Sequence, residues 1–233
     1  MWLVAEYQAT TLFSLKPALA TSSGAKTLLL PTPFALKMAL LDVVCRTEGV
    51  ASGEAVWPLL RDLTVALRPV QRVVVNNLFA RILKPRRSEA RPGEADAGPF
   101  QKTIAYREYA HFQGAMAVAV DVSEAETDRV SRWLLGISYL GKRGSFVQLV
   151  APPEPHETLP EGFVVITGEA AAGFAVESVM QQLDDCGESL TFEKANIYTS
   201  ATIRLGKERV LHHTVLPYRV AASSRAYTLY ERT

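Results

Sequence analysis

An α+β fold is predicted by three features of the chain. Strand-type alternation appears near both ends of residues 1–150, three helical stretches interrupt it, and an insertion rich in Pro, Gly and Arg separates two strands. In order these read β-α-β-(insertion)-β-α-β, the split βαβ arrangement of ferredoxin-like domains, which RNA-recognition domains share. Residues 151–233 read as a smaller, mostly β C-terminal subdomain.

The first strand is expected over residues 2–8. A loop rich in Thr, Ser and Gly follows over 10–30. Within it Gly24-Ala25-Lys26-Thr27 touches the pattern of a phosphate-binding loop, but it lacks the adjacent Gly-Lys pair and the earlier glycine. A nucleotide triphosphate site is therefore not predicted, and Lys26 remains a candidate phosphate contact. Thr32 suits a helix N-cap and Pro33 the first turn, with Leu36, Leu40, Val43 and Val44 on one face and Gly49 at the end. A second helical stretch is read over 54–67, with Pro58 near its start and Leu60, Leu63 and Leu67 facing inward.

Residues 70–76 are strand-like. The segment 78–102, with its KPRRSEARPGEADAGP run, has too little apolar surface for a core and is expected to project. From Thr103 a long strand returns, in which Phe112, Gly114, Met116, Val118 and Val120 alternate with Gln113, Ala115, Ala117 and Ala119. The small second set predicts a helix packed closely on that face. Ser123 and Glu126 form a capping box, and Val130, Trp133, Leu134 and Ile137 follow at helical spacing. A strand is expected over 146–150. After a linker marked by Pro152, Pro153, Pro155 and Pro160, strands are expected over 163–167, 197–205, 210–215 and 226–230.

Net charge is +1, but the distribution is uneven. Residues 1–150 hold 18 Lys/Arg against 13 Asp/Glu, and residues 151–233 hold 7 against 11. The excess is densest between Arg68 and Arg107, where the acids are Glu89, Glu94 and Asp96. A one-sided basic stretch in a near-neutral chain points to a local polyanion site. No apolar run reaches the roughly 20 residues of a membrane-spanning helix. Cys45 and Cys186 are isolated from one another and suit a reducing, cytoplasmic setting. His111, His156, His212 and His213 have no metal-ligand spacing, so neither a metal nor a cofactor is predicted.

The candidate site begins at Gly141-Lys142-Arg143-Gly144, between a helix and a strand. Glycines there allow positive φ and close approach, and Lys142 and Arg143 supply donors and charge for a phosphodiester chain. The same residues also suit a plain solvated turn. Arg81, Lys84, Arg86 and Arg87 of the insertion add phosphate contacts, and Tyr106 and Phe112 add rings for bases. Tyr109 and His111 lie two apart on one strand face. With a nearby cation they could serve metal-independent RNA cleavage as acid and base, or simply be two residues of a half-buried strand.

The opening strand, the TLFSLKPALATSSGAKTLLLPTPFALKMALLD stretch with Pro31, Pro33, Leu36, Ala39 and Leu40, and the SYLGKRGSFVQLV stretch together resemble the CRISPR-associated protein 5 family, small RAMP-superfamily subunits of type I Cascade complexes. The resemblance covers residues 1–150. It implies a β-hairpin thumb at about 78–102 and a subunit of antiviral defence that grips the 5′ handle of the CRISPR RNA. Its implied partners are the backbone subunit, the large subunit and target DNA near the protospacer-adjacent motif. One branch of the family cuts precursor RNA with a Tyr, a Lys and a His; here Ala110 precedes His111, so a non-catalytic binding subunit is expected.

Overall fold

The computed structural model describes residues 1–20, 24–88, 93, 98–168 and 177–233. The chain begins with β1 (Trp2–Ala9), the short β2 (Gly24–Ala25), α1 (Pro33–Thr47), α2 (Val50–Asp62) and β3 (Thr64–Arg68). A long hairpin, β4 (Arg72–Pro85) and β5 (Phe100–Gln113), leads into β6 (Ala115–Asp121), a 3-10 turn (Glu124–Glu126), α3 (Thr127–Leu135) and β7 (Val147–Leu149). Then come β8 (Glu154–His156), β9 (Val164–Val165), β10 (Val179–Cys186), α4 (Phe192–Ala195), β11 (Arg209–Leu216), β12 (Tyr218–Ser223) and β13 (Tyr227–Arg232).

The first sheet has the order β7-β1-β6-β3-β9, with β8 also paired to β1. Its pairings are antiparallel. Counted along the chain as first to fourth strands, β1, β3, β6 and β7 lie in the order 4-1-3-2, with α1, α2 and α3 in the two crossovers. The second sheet has the order β12-β13-β4-β5-β2, and β10 with β11 forms a separate pair. Beyond Pro152 the chain contributes to both sheets: β8 to β1, β9 to β3 and β13 to β4.

The helices cover one face of the first sheet. Leu3, Ala5 and Tyr7 are buried there, and the Tyr7 hydroxyl donates to the Leu134 carbonyl of α3 at 2.7 Å. Leu3, Ala5 and Tyr7 stand opposite Val120, Val118 and Met116, so the larger residues of β6 face the helices. This corrects the expectation that Ala115, Ala117 and Ala119 do. On the far face Ala117 lies between Glu6 and Arg68 in register, and these two pair across it, with the Arg68 guanidinium 5.5 Å from the Phe163 ring. A larger side chain at Ala117 would stand in the path of that ion pair.

α1 starts as the sequence indicates: the Thr32 hydroxyl accepts from the Ala35 amide at 3.2 Å, and Pro33 opens the first turn. α2 begins at Val50, earlier than expected, and ends at Asp62. Leu60, Leu63 and Leu67 are all buried, but Leu67 belongs to β3, where Thr64 and Val65 favour a strand. The strand expected over 70–76 is the start of β4. The strand read as continuous from Thr103 breaks at Gly114, whose φ of 98° lets the chain pass from the second sheet to the first. Ser123 makes no side-chain cap bond, so the expected capping box is replaced by the 3-10 turn. Val130, Trp133, Leu134 and Ile137 are buried as their spacing indicates.

The insertion is the distal part of the β4–β5 hairpin, paired from Arg72 with Gln113 to Pro85 with Phe100. Glu89, Arg91, Glu94 and Asp96 lie outside the described residues. No strand spans 197–205, while β10 and β12 were not foreseen. None of the described helices is long and apolar enough to cross a membrane.

Candidate nucleic-acid interface

Residues 138–147 form a closed turn. The Val147 amide donates to Ser138 O at 3.0 Å, Leu140 N to Ser145 O at 3.1 Å and Ser145 N to Lys142 O at 3.0 Å. Gly141 and Gly144 hold φ of 72° and 105°, a region that penalises other residues, so both glycines are needed for this backbone. The Thr11 hydroxyl donates to Gly144 O at 2.8 Å and accepts from Phe146 N at 2.9 Å. Buried Leu140 and Ser145 anchor the turn, and Lys142 and Arg143 are left exposed.

Gly141, Lys142 and Arg143 line a groove of about 750 Å³, together with Lys16, Arg107 and Arg209 and the aromatic residues Phe34, Tyr139, Phe192 and Tyr198. The two carboxylates among its described lining residues are already engaged. Asp42 holds Arg46 at 2.8 Å, and buried Asp184 holds Arg209, whose guanidinium lies 4.2 Å from the Phe34 ring. Among the described residues Lys16, Arg107, Lys142 and Arg143 enter no ion pair. Four cations and aromatic surface in one concavity suit the backbone and bases of a single strand.

A second cavity of about 490 Å³ is lined by Lys26, Tyr106, Asn77, Glu108 and Tyr230, among others, and shares Leu28 with the groove. The Tyr106 hydroxyl lies 2.9 Å from both Asn77 Oδ1 and Glu108 Oε1, and Thr27 N donates to Glu108 Oε2 at 2.9 Å. Burial and the Glu108 carboxylate push the Tyr106 phenol above its usual range, which keeps it neutral. Its ring packs against Phe79 at 5.1 Å, so it is partly occupied within the protein.

The remaining candidates are dispersed. Arg81, Lys84 and Arg87 lie along and at the end of the hairpin, outside both cavities, as does Arg86, whose amide donates to Pro99 O at 2.9 Å. Phe112 must be corrected: it is 3% exposed and packs on Phe13 at 4.9 Å, so it offers no ring to a base. Tyr109 and His111 share the β5 face of Arg107, opposite to Tyr106, and line neither cavity. Among the described residues no cluster of His, Cys, Asp and Glu could hold a metal.

Lys16, Phe34, Arg107, Tyr139, Tyr198 and Arg209 were not foreseen as site residues. Arg107 lay within the basic run and Tyr139 beside the glycine turn, signals that could have found them. Tyr198 and Arg209 reach the groove only through the tertiary fold.

The segment carrying them is fixed at its base by Glu208. This fully buried carboxylate takes Lys194 and Arg204 in ion pairs and accepts from Arg204 N at 2.9 Å. The Lys194 hydrogen bond above all holds the Glu208 carboxyl down at about 2. A depressed carboxyl contributes stability above its unfolded value and loses it as pH falls toward the folded one. Hydrogen exchange around α4 is therefore expected to quicken as pH drops from about 4.5 toward 2 beyond the intrinsic trend, and Glu208→Gln should remove that dependence. An unchanged profile in the variant would clear Glu208 of this role.

No family model matches the chain. A curated relative, CRISPR-associated protein Cas5 from Archaeoglobus fulgidus, is 25% identical over 211 residues, covering 89% of this chain and 90% of the relative. The chain is similar to this Cas5 protein along nearly its whole length. Among solved structures, the chain is similar to a CRISPR protein from Archaeoglobus fulgidus (14% identical, TM-score 0.42), over 100% of this chain and 92% of that one. It is also similar to a chain of a CRISPR RNA-guided surveillance complex (16% identical, TM-score 0.42), over 79% of this chain and 77% of that one.

Proposed function

We propose that this protein is a Cas5-type, non-catalytic RNA-binding subunit of a Cascade-type CRISPR complex, holding the 5′ handle of the CRISPR RNA in the groove beside the glycine turn. The observation that carries this is the group of four cations, Lys16, Arg107, Lys142 and Arg143, which enter no ion pair among the described residues and surround one concavity with aromatic walls. The relative's name supports the CRISPR role. The 4-1-3-2 strand order supports a ferredoxin-like reading of the first sheet. Ala110, buried in front of His111, leaves no side chain for a lysine's role, which favours binding over cutting.

Contact with the backbone and large subunits is supported by the hairpin. Phe79 and Leu83 of β4 and Phe100 and Ile104 of β5 are all exposed, and by register they share one face of the ribbon. Exposed apolar surface of this extent on a projecting element suits a protein partner. The free thiols Cys45 and Cys186 support a cytoplasmic setting.

The test pairs native and denaturing gels of labelled CRISPR repeat RNA with purified protein in EDTA. Wild type is expected to shift the RNA and leave it intact. Lys142→Glu with Arg143→Glu should weaken binding at least about tenfold at low salt and flatten the log–log salt slope by about 1.4, near 0.7 for each phosphate of a single strand. Discrete cleavage would instead point to Tyr109 and His111. Equal affinity in the double variant would remove the groove from RNA binding.

A further inference from the structure

We propose that Tyr198 stacks a base of the strand bound in the groove, so that the C-terminal segment as well as the glycine turn grips the RNA. This rests on the reading of the groove as an RNA site and adds to it a residue far from the basic run.

Tyr198 is 91% exposed and its neighbour Ile197 82%, and both line the groove. Their backbone is held firmly nonetheless. Asn196 N donates to Phe192 O at 2.8 Å, Tyr198 N to Asn196 Oδ1 at 3.0 Å and Thr199 N to Asn196 O at 3.2 Å, while the Thr199 hydroxyl donates to Glu193 O at 2.7 Å. The base of this turn is tied through Lys194 to buried Glu208. An aromatic ring left bare on a fixed turn has already lost much of the backbone freedom that binding would otherwise have to remove. Among the described residues no aromatic or cation–π contact includes this ring, so none competes for its faces.

The groove's chemistry selects the ligand class. Lys142 and Arg143 on the glycine turn enter no ion pair among the described residues and suit phosphates, while Tyr198 on the α4 turn offers a flat apolar face. A single-stranded nucleic acid carries both features on one chain, whereas in a duplex the base faces are covered by stacking. A protein partner could use Ile197 and Tyr198 but would leave the cations without a counterpart unless it were acidic. The combination favours the single strand.

The experiment uses the full chain, a fluorescein-labelled oligoadenylate for affinity and the same strand with a fluorescent adenine analogue for stacking. Tyr198→Ala should bind about tenfold more weakly, the loss expected for one base–aromatic stack, with the salt slope unchanged because no phosphate contact is removed. It should also abolish a quench of the analogue seen with wild type, and Tyr198→Phe should restore both. Since the side chain is exposed, melting temperatures of all three proteins should agree. If Lys142→Glu with Arg143→Glu weakens binding but Tyr198→Ala does not, the stacking role is wrong and the groove stands. If the double charge reversal has no effect either, the groove reading fails and the stacking role with it. A Tyr198→Ala protein with full RNA affinity that no longer assembles with its partner subunits would assign the ring to a protein contact and overturn the proposal.

Discussion

Lys37→Met is expected to cost about 3–5 kcal/mol of stability, the range found when one member of a buried ion pair is removed. Lys37 is on α1 and Asp185 on β10, with Nζ and Oδ1 2.7 Å apart and side chains only 3% and 6% exposed. The ammonium also donates to the Arg61 carbonyl at the end of α2, at 2.8 Å. One cation thus joins two helices to the β10–β11 pair. Burial pushes the Asp185 carboxyl above its usual range, and Lys37 is the largest influence opposing that rise. Methionine would fill the space of the aliphatic stem but leave the carboxylate desolvated and without a counter-charge at hydrogen-bond distance, with the Cys186 amide still donating to it at 2.7 Å.

The sign of the pH effect follows. Without Lys37, Asp185 binds its proton more tightly folded than unfolded, so the variant gains stability relative to wild type as pH falls. Urea midpoints taken near pH 7 and near pH 5 should show the deficit shrinking at the lower value. Lys37→Met with Asp185→Leu should recover most of the loss, because an apolar pair needs no charge compensation. A single variant as stable as wild type, or a deficit that grows in acid, would refute this account of the pair.

Lys37 also shows where the sequence was silent. It follows Leu36 in a helix whose apolar positions were legible, but nothing local announces a carboxylate on a strand far along the chain. What could be read was local. The Thr32 cap, the i, i+3, i+4, i+7 spacing of α3 and the paired glycines of the turn each depend on residues within a few positions. Gly114 misled because a period-2 pattern continues across it, so two strands in different sheets read as one. The alanines of β6 misled because small size signals close approach but not its partner, which proved to be the Glu6–Arg68 pair rather than a helix. The groove was half visible: the glycine turn could be read, whereas Arg209 and Tyr198 reach it only through β10, α4 and β11.

Phe112→Ala should cost about 3–5 kcal/mol, the usual range for truncating a buried aromatic residue. The ring is tilted against Phe13, which is fully buried and bridged to Ala110 by backbone bonds of 2.8 and 2.7 Å. With Leu29, Leu30, Leu67, Val70 and Met116 it borders a void of only about 10 Å³, so this region has little empty space to begin with. Alanine would open a cavity where β5, β3 and the loop before α1 meet. Phe112→Leu, which keeps more of the volume, should lose less. Because Phe112 is inside, the RNA affinity of the folded fraction should match wild type, unlike that of the Lys142 and Arg143 double variant, which should stay folded and bind weakly. Denaturant melts and RNA titrations on the same preparations separate the two effects. An alanine variant that melts like wild type but loses RNA affinity would return Phe112 to the binding surface and contradict the packing seen here.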